Sequence, residues 1–317
     1  MERKNRLAIV VPCYNEEETL QNTINVLTDL LKDLINKSKI AKDSAMLLVN
    51  DGSKDRTWSI IETNTHSNQY VQGLKLAHNV GHQSALYAGL DIAKDYFDIT
   101  VSIDADLQDD VGVIEQMIDN YKQGDEIVYG VRNDRTEDSF FKKTTAESFY
   151  KLIESFGVET IYNHADFRLM SKLAVEQLCE HKEHNLYLRG IVPKIGYNTS
   201  KVEYKRKARE AGYSKYNLKS MLRLAMDGIT AFSNKPIDMI FKFGCYTLIF
   251  ALLGLVTLGL VHIFYCPVNM ALYVIDSILI MGSINIMALG VIGQYIGRIN
   301  IETKQRPRYI IEKYIID

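Results

Sequence analysis

Short aliphatic and β-branched runs recur along the first part of the chain, at Leu7–Val11, Met46–Val49, Val71–Leu76, Ile99–Ile103 and Ile127–Tyr129. Between them lie longer stretches, such as Glu17–Leu34 and Ser84–Lys94, in which apolar residues return every three or four positions. The short runs predict buried strands and the periodic stretches predict amphipathic helices. Their alternation predicts a mainly parallel, doubly wound, Rossmann-like α/β sheet with helices on both faces. Ligands of such sheets sit beyond the carboxyl ends of the strands. Polar clusters stand at four of those ends: Asn15-Glu16-Glu17, Asp51-Gly52-Ser53, Asn79-Val80-Gly81-His82 and Asp104-Ala105-Asp106.

The last quarter has a different pattern. Phe243–Tyr265 gives 23 residues and Ser277–Gly297 gives 21 without an acidic or basic charge, apart from His262. At about 1.5 Å per residue, either run crosses a hydrocarbon core of about 30 Å. Two transmembrane helices are expected, at about 243–265 and 275–297, turning near Pro267 and Asn269. Lys235 and Lys242 precede the pair, Arg298, Lys304, Arg306 and Arg308 follow it, and the turn holds no Lys or Arg. The positive-inside rule therefore puts both termini in the cytosol. Upstream, Leu218, Met221, Leu222, Ala225, Ile229 and Phe232 form a helical stripe within Asn217–Asn234. This fits a helix lying in the headgroup layer or an ordinary packed amphipathic helix; the neighbouring basic run Lys201–Arg209 favours the membrane surface. The expected division is a cytosolic domain over 1–216, an interfacial helix and linker over 217–242, the hairpin over 243–297 and a cytosolic tail over 298–317.

Composition sharpens this picture where it splits. The 317 residues carry 37 Lys and Arg against 39 Asp and Glu, a net charge of −2. The mean hydropathy of −0.10 is thus a cancellation between a polar domain and an apolar quarter. Near-neutral charge argues against a nucleic-acid partner, which requires a net basic footprint. Cys13, Cys179, Cys245 and Cys266 lack paired spacing and read as free thiols in a reducing compartment. No G-x-G-x-x-G follows the first strand and no P-loop occurs anywhere, so neither dinucleotide nor P-loop chemistry is supported.

Asp104-Ala105-Asp106-Leu107-Gln108 carries the sharpest chemistry. Residues i and i+2 of an extended segment share a face, so both carboxylates can approach one hard cation, and Gln108 continues that face. Alone, such a pair also serves as turn and cap, and Asp109 and Asp110 can cap a helix starting near Val111. Four polar strand ends at one rim favour the ligand-binding reading. Asp51 stands where it could accept from a base or ribose, whereas Ser53 and Asp55 equally suit a turn and N-cap.

Three segments together resemble family 2 glycosyltransferases of the GT-A fold: Val11-Pro12-Cys13-Tyr14-Asn15-Glu16-Glu17, Val49 through Thr57, and Asp104 through Asp109. Asn79-Val80-Gly81-His82-Gln83, Gly130-Val131-Arg132, Ser214-Lys215-Tyr216 and Glu302-x-Lys304-x-Arg306-Pro307 are similar to the polyprenyl-phosphate branch of that family. The resemblance implies a metal segment of Asp104, Asp106 and Gln108 holding Mg2+ or Mn2+, and nucleotide-sugar contacts at Pro12, Asn15, Glu16, Asp51 and Asp104. It further implies Arg132 beside the diphosphate, Arg135 near the acceptor phosphate, and Arg209, Ser214 and Lys215 on a loop closing over the site. Asp166 matches an aspartate proposed as base, so Asp106, Asp166 and Arg132 are the expected catalytic set.

The implied reaction is inverting transfer of a sugar, from a UDP-sugar such as UDP-glucose, to undecaprenyl or another polyprenyl phosphate at the cytoplasmic membrane. Self-association is left open. A lipid phosphate is already largely dianionic at pH 7, so Asp166 is expected to position as much as to deprotonate. Tyr213, the Asp110-Val111 pair and His78 depart from the family's common pattern. The rival readings are a transferase with another acceptor and a non-catalytic membrane scaffold. The sole tryptophan, Trp58, excludes the Gln-x-x-Arg-Trp acceptor motif of processive synthases.

Overall fold

The computed structural model describes residues 4–132, 164–181, 188–205, 270–304 and 307–315. The chain divides into two compact units, one of Met1–Lys151, Glu159–Met221 and Pro307–Asp317, the other of Leu152–Val158 and Leu222–Arg306. All eight described strands belong to the first unit.

β1 (Leu7–Cys13), β2 (Ala45–Asn50), β3 (Val71–Leu76), β4 (Ile99–Ser102) and β5 (Ile127–Arg132) fall where the aliphatic runs predicted strands. β6 (His164–Ser171), β7 (Thr199–Tyr204) and β8 (Ile311–Ile315) complete one sheet in the order β7-β5-β6-β4-β1-β2-β3-β8. β1 pairs in parallel with β2 and β4, and β2 with β3, which gives the doubly wound half. β6 runs antiparallel between β4 and β5. Its side chains alternate between Asp166 and Arg168 on one face and Phe167 and Leu169 on the other, all nearly excluded from solvent.

α1 (Leu20–Asn36), α2 (Thr57–Ser67), α3 (His82–Tyr96), α4 (Ile114–Lys122), α5 (Lys172–Glu180) and the short α6 (Leu188–Ile191) cover the sheet. α1 shows why: Leu20, Ile24, Leu27, Leu31 and Leu34 follow a 4-3-4-3 spacing and are essentially inaccessible. Each such side chain contributes roughly 1.5–3 kcal/mol on burial. With Ile9, Val11, Leu48, Val101, Met117 and Phe167 they form the core on one side of the sheet. On the opposite side α3 lies so close that a Cβ on Gly89 would stand 2.4 Å from Val10 Cγ1 and 2.8 Å from Val49 Cγ2.

The expected tail contains a structural element. Ile311–Ile315 adds β8 antiparallel to β3, and Ala77 N–H donates to the Ile310 carbonyl at 2.9 Å. Lys75–Glu312 and Lys313–Glu62 ion pairs, each 2.6 Å, flank the strand. Arg308 stacks 4.5 Å from the Tyr87 ring centroid and donates to the His181 carbonyl, while Tyr309 hydroxyl donates to Asp91. Residues 307–315 are therefore fastened to α3 and to the end of α5.

In the second unit, α7 (Met270–Thr303) is a 34-residue helix. The first expected span and the interfacial helix lie outside the described residues, and the second span falls on α7, whose side chains are described in part. Among the described residues no helix is long and apolar enough to cross a membrane.

Candidate active site

The carboxyl ends of β1 and β2 are cross-stitched. Asn15 N–H donates to Ser53 Oγ (3.0 Å) and Lys54 N–H to Asn15 Oδ1 (2.9 Å). Glu16 N–H donates to Thr57 Oγ1 (2.9 Å), Glu17 N–H to Asp55 Oδ2 (3.2 Å) and Arg56 N–H to Glu17 Oε2 (3.1 Å). Asn15 adopts φ 53°, which an Asn tolerates better than most residues. Two loops that could each expose orphan backbone groups satisfy each other. Pro12 ends this platform just past the last β1–β4 pair, Val10↔Ser102, so its missing N–H falls where β4 has already left the ladder.

Asp51 differs from its sequence-based expectation. It is 2% exposed, and its carboxylate accepts from Val80 N–H (2.7 Å), Gly81 N–H (3.0 Å) and Asn79 Nδ2 (3.0 Å). Burial pushes its carboxyl up, against the pull of the two backbone donors. The work visible here is strapping the turn between β3 and α3 onto β2, and a nucleotide contact would have to share the same oxygens. Gly52 makes that approach feasible: at φ +61° its Cβ would lie 2.5 Å from Asn79 N.

After β4, Asp104 and Asp106 are half-buried and Ala105 between them is buried, but the chain turns at Ala105–Asp106 instead of running extended as the sequence reading expected. Gln108 N–H donates to Asp106 Oδ1 at 3.2 Å, and Leu107 takes φ 50°. Gln108 itself is buried, unlike the two carboxylates. Burial raises the Asp104 carboxyl pKa, His82 opposes that, and Asp109, Asp166 and Asp106 raise it further. A carboxylate so placed gains from a neighbouring cation, and oxygen donors of this kind suit a hard divalent ion. Among the described residues no group of three His, Cys, Asp or Glu is set to hold a metal. Asp104 and Asp106 offer oxygen donors of the right chemistry, and an ion held by them would need its remaining ligands from water or a bound phosphate.

The adjacent aspartates divide their labour. Asp110 accepts from Gly112 N–H at 3.1 Å and caps the turn leading into α4, as expected. Asp109 does no capping: buried at 3% exposure, it accepts from Tyr204 hydroxyl (2.5 Å) and Arg132 Nη2 (3.3 Å), while Arg132 Nε donates to Tyr204 hydroxyl (3.2 Å). Arg132 is thereby held at the tip of β5 by residues from the β4 loop and β7.

Asp166 is the hub of the remaining charges. Oδ1 accepts from Arg168 Nη2 (2.9 Å) and Arg189 Nε (3.4 Å), and Oδ2 from Arg189 Nη2 (3.1 Å) and Gln83 Nε2 (3.0 Å). His82 Nε2 stands 3.6 Å from Asp166 Oδ2 and 3.6 Å from Asp104 Oδ1, linking this hub to the β4 carboxylates. Burial alone would raise the Asp166 pKa, but Arg189, His82 and Arg168 hold it well below the carboxylate range. Burial lowers the His82 imidazole, yet Asp166 and Asp104 lift it to about 9. A carboxylate so stabilised in its charged form is a weak proton acceptor, so its geometry suits positioning.

Pro12, Asn15, Glu16, Asp51, Asp104, Asp106, Gln108, Arg132 and Asp166 therefore lie on β1, β2, β4, β5 and β6 or the loops after them. Arg135, Arg209, Ser214 and Lys215 lie outside the described residues. His82, Gln83, Arg168, Arg189, Asp109 and Tyr204 were not singled out as site residues in the sequence. The period-two placement of Asp166 and Arg168 among Phe167 and Leu169 was the available signal.

The model of glycosyl transferase family 2 matches residues 8–196. The glycosyltransferase YkoT of Bacillus subtilis (strain 168) is 50% identical over 96% of this chain and 91% of its own. The SfII prophage-derived bactoprenol glucosyl transferase of Shigella flexneri is 37% identical over 97% of this chain and 98% of its own. The prophage bactoprenol glucosyl transferase homolog of Escherichia coli (strain K12) is 37% identical over 97% and 99%.

Proposed function

This chain belongs to glycosyl transferase family 2, and from that premise we propose that it moves a sugar from a nucleotide-sugar to a polyprenyl phosphate at the cytoplasmic membrane. The carrying observation is the meeting, at one rim of the sheet, of the Asp104 carboxylate, through His82, with a cation-rich hub around Asp166. Such a rim suits a metal-bound diphosphate beside a second phosphate. The bactoprenol glucosyl transferase names among relatives aligned over 97% of the chain support a bactoprenol-type acceptor and a glucosyl group; a UDP-sugar such as UDP-glucose is the donor proposed.

Asp104 and Asp106, with Gln108, would hold Mg2+ or Mn2+. Bound there, the ion supplies charge neutralisation for a departing nucleoside diphosphate. Arg132, braced by Asp109 and Tyr204, adds a fixed guanidinium fork suited to phosphate oxygens. The platform of Asn15, Glu16 and the Asp51 turn supplies a rigid floor for the nucleotide. Asp166 orients Arg189 and Gln83, and the acceptor's phosphate, with a second pKa near 6, needs no strong base at neutral pH.

The membrane hairpin is part of this proposal. β8 shares the sheet of β1–β7, so any crossings between residues 205 and 307 must be even in number. The two uncharged runs supply two, leaving the catalytic domain and C-terminus in the cytosol. The test is radiolabelled sugar transfer from UDP-sugars to undecaprenyl phosphate by full-length protein, with Asp106→Ala as control. Label should enter the lipid phase only with wild-type protein and lipid phosphate together; full transfer by Asp106→Ala would sink the metal assignment.

A further inference from the structure

Arg168 and Arg189 each bring one positive charge, and both donate to the Asp166 carboxylate. Arg168 is completely buried, and among the described residues its Nε and Nη1 have no hydrogen-bond partner, so it cannot present that charge outside the fold. Arg189 can: about a third of its side chain is exposed. Its Nε and Nη2 lie 3.4 and 3.1 Å from the two Asp166 oxygens, a two-point grip that fixes the plane of the guanidinium. Gln83 braces the same arrangement from both ends. Its Nε2 donates to Asp166 Oδ2 (3.0 Å), and its Oε1 accepts from Leu188 N–H (3.1 Å), the residue before Arg189.

Neither Arg189 nor Gln83 belongs to the metal, nucleotide or acceptor sets read from the sequence. We propose that Arg189 is a phosphate-binding residue of this site, aimed by Asp166, with Gln83 as the positioning residue that fixes both. The inference rests on the glycosyl-transfer reading above. Its ligand chemistry is a phosphate group, either the monoester of a lipid acceptor or the diphosphate of the donor. An arginine pinned by a carboxylate loses less side-chain freedom on meeting a phosphate than a free one, which is the advantage of the Asp166 grip.

The experiment uses full-length protein in nanodiscs and compares wild type with Arg189→Ala, Arg189→Lys and Gln83→Ala. KM is measured separately for undecaprenyl phosphate and for UDP-glucose, and pyrophosphate binding is measured by calorimetry. Loss of one charge-assisted contact should weaken the relevant constant by about ten- to a hundredfold in Arg189→Ala. Arg189→Lys should lie between, and Gln83→Ala should move the same constant less. A rise confined to the acceptor KM supports the proposal with the lipid phosphate as ligand; a rise in the donor KM and the pyrophosphate Kd supports it with the diphosphate. Neither constant moving beyond twofold, with only kcat or thermal stability reduced, overturns it. Should Arg189→Ala fail to fold, the same thresholds apply to Arg189→Lys. Wild-type protein that binds pyrophosphate but makes no lipid-linked sugar refutes the acceptor reading, while the pyrophosphate arm still decides Arg189. If wild type does neither, both fall.

Discussion

Replacing Asp51 by Ala distinguishes a structural strap from a nucleotide contact. The substitution removes the acceptors of Val80 N–H, Gly81 N–H and Asn79 Nδ2, all within 3.0 Å of a carboxylate that is 2% exposed. Hydrogen bonds to a charged group are worth about 1.5–3 kcal/mol each, and orphaned buried donors add a penalty. Two effects shrink the sum. Burial itself pushes the Asp51 carboxyl up, so part of the bonding free energy is already offset by desolvation. The turn can also relax toward solvent. A net loss of roughly 3–5 kcal/mol follows for Asp51→Ala, and about 2 kcal/mol for Asp51→Asn, which keeps one oxygen. At roughly 2 °C per kcal/mol for a chain of this size, the melting temperature should fall by about 6–10 °C in Asp51→Ala. Hydrogen exchange at the Val80 and Gly81 amides should accelerate before the rest of the sheet. If Asp51→Ala melts within 2 °C of wild type, keeps those amides protected and loses only donor affinity, the strap is wrong and the residue belongs to the nucleotide.

Other consequences are as direct. Gly89→Val should destabilise by about 1–3 kcal/mol in chemical denaturation, because even its Cβ meets Val10 at 2.4 Å. Deleting residues 307–317 removes β8 and the Arg308 and Tyr309 contacts to α3 and α5, so thermal melting should fall and transfer activity with it; an unchanged melt would make β8 dispensable. Asp109→Asn keeps the shape but removes the charge facing Arg132, and should raise the donor KM more than it lowers the melting temperature. Asp166 has a folded pKa depressed below its unfolded value, so its ionic contribution is present above about pH 4 and is lost as pH falls through the folded value. The stability gap between wild type and Asp166→Asn should accordingly be wide at pH 7 and shrink toward pH 2; a gap independent of pH contradicts that ionic role.

Sequence pattern exposed β1 to β5 because a parallel strand buried on both faces has to be a continuous aliphatic run, as Leu7–Val11 and Met46–Val49 are. β6 hid because Asp166 and Arg168 break that run, and their pairing with each other and with Arg189 and Gln83 lets ionic side chains lie inside a sheet. β8 hid because its partner β3 is more than two hundred residues away in the chain and its adjacent Glu312 and Lys313 resemble a solvated tail. At the site, the aspartates after β4 were legible as a carboxylate pair, while the turn at Ala105–Asp106 was not. The separation of Asp109 as an anchor from Asp110 as a cap was not, since it depends on Tyr204 and Arg132 arriving from β7 and β5. Gln83 closes the Asn79–Gln83 motif without revealing its partner, and Arg189 stands in none of the motifs; their meeting on Asp166 is a product of the fold.

Mass spectrometry of the lipid formed when wild-type protein in nanodiscs meets undecaprenyl phosphate and a panel of nucleotide sugars tests the central claim most directly. A polyprenyl-phosphate-linked hexose that requires a divalent metal and disappears in Asp106→Ala is the predicted product. Hydrolysis of the nucleotide sugar without any lipid-linked sugar, or transfer that persists without Asp106, would contradict it.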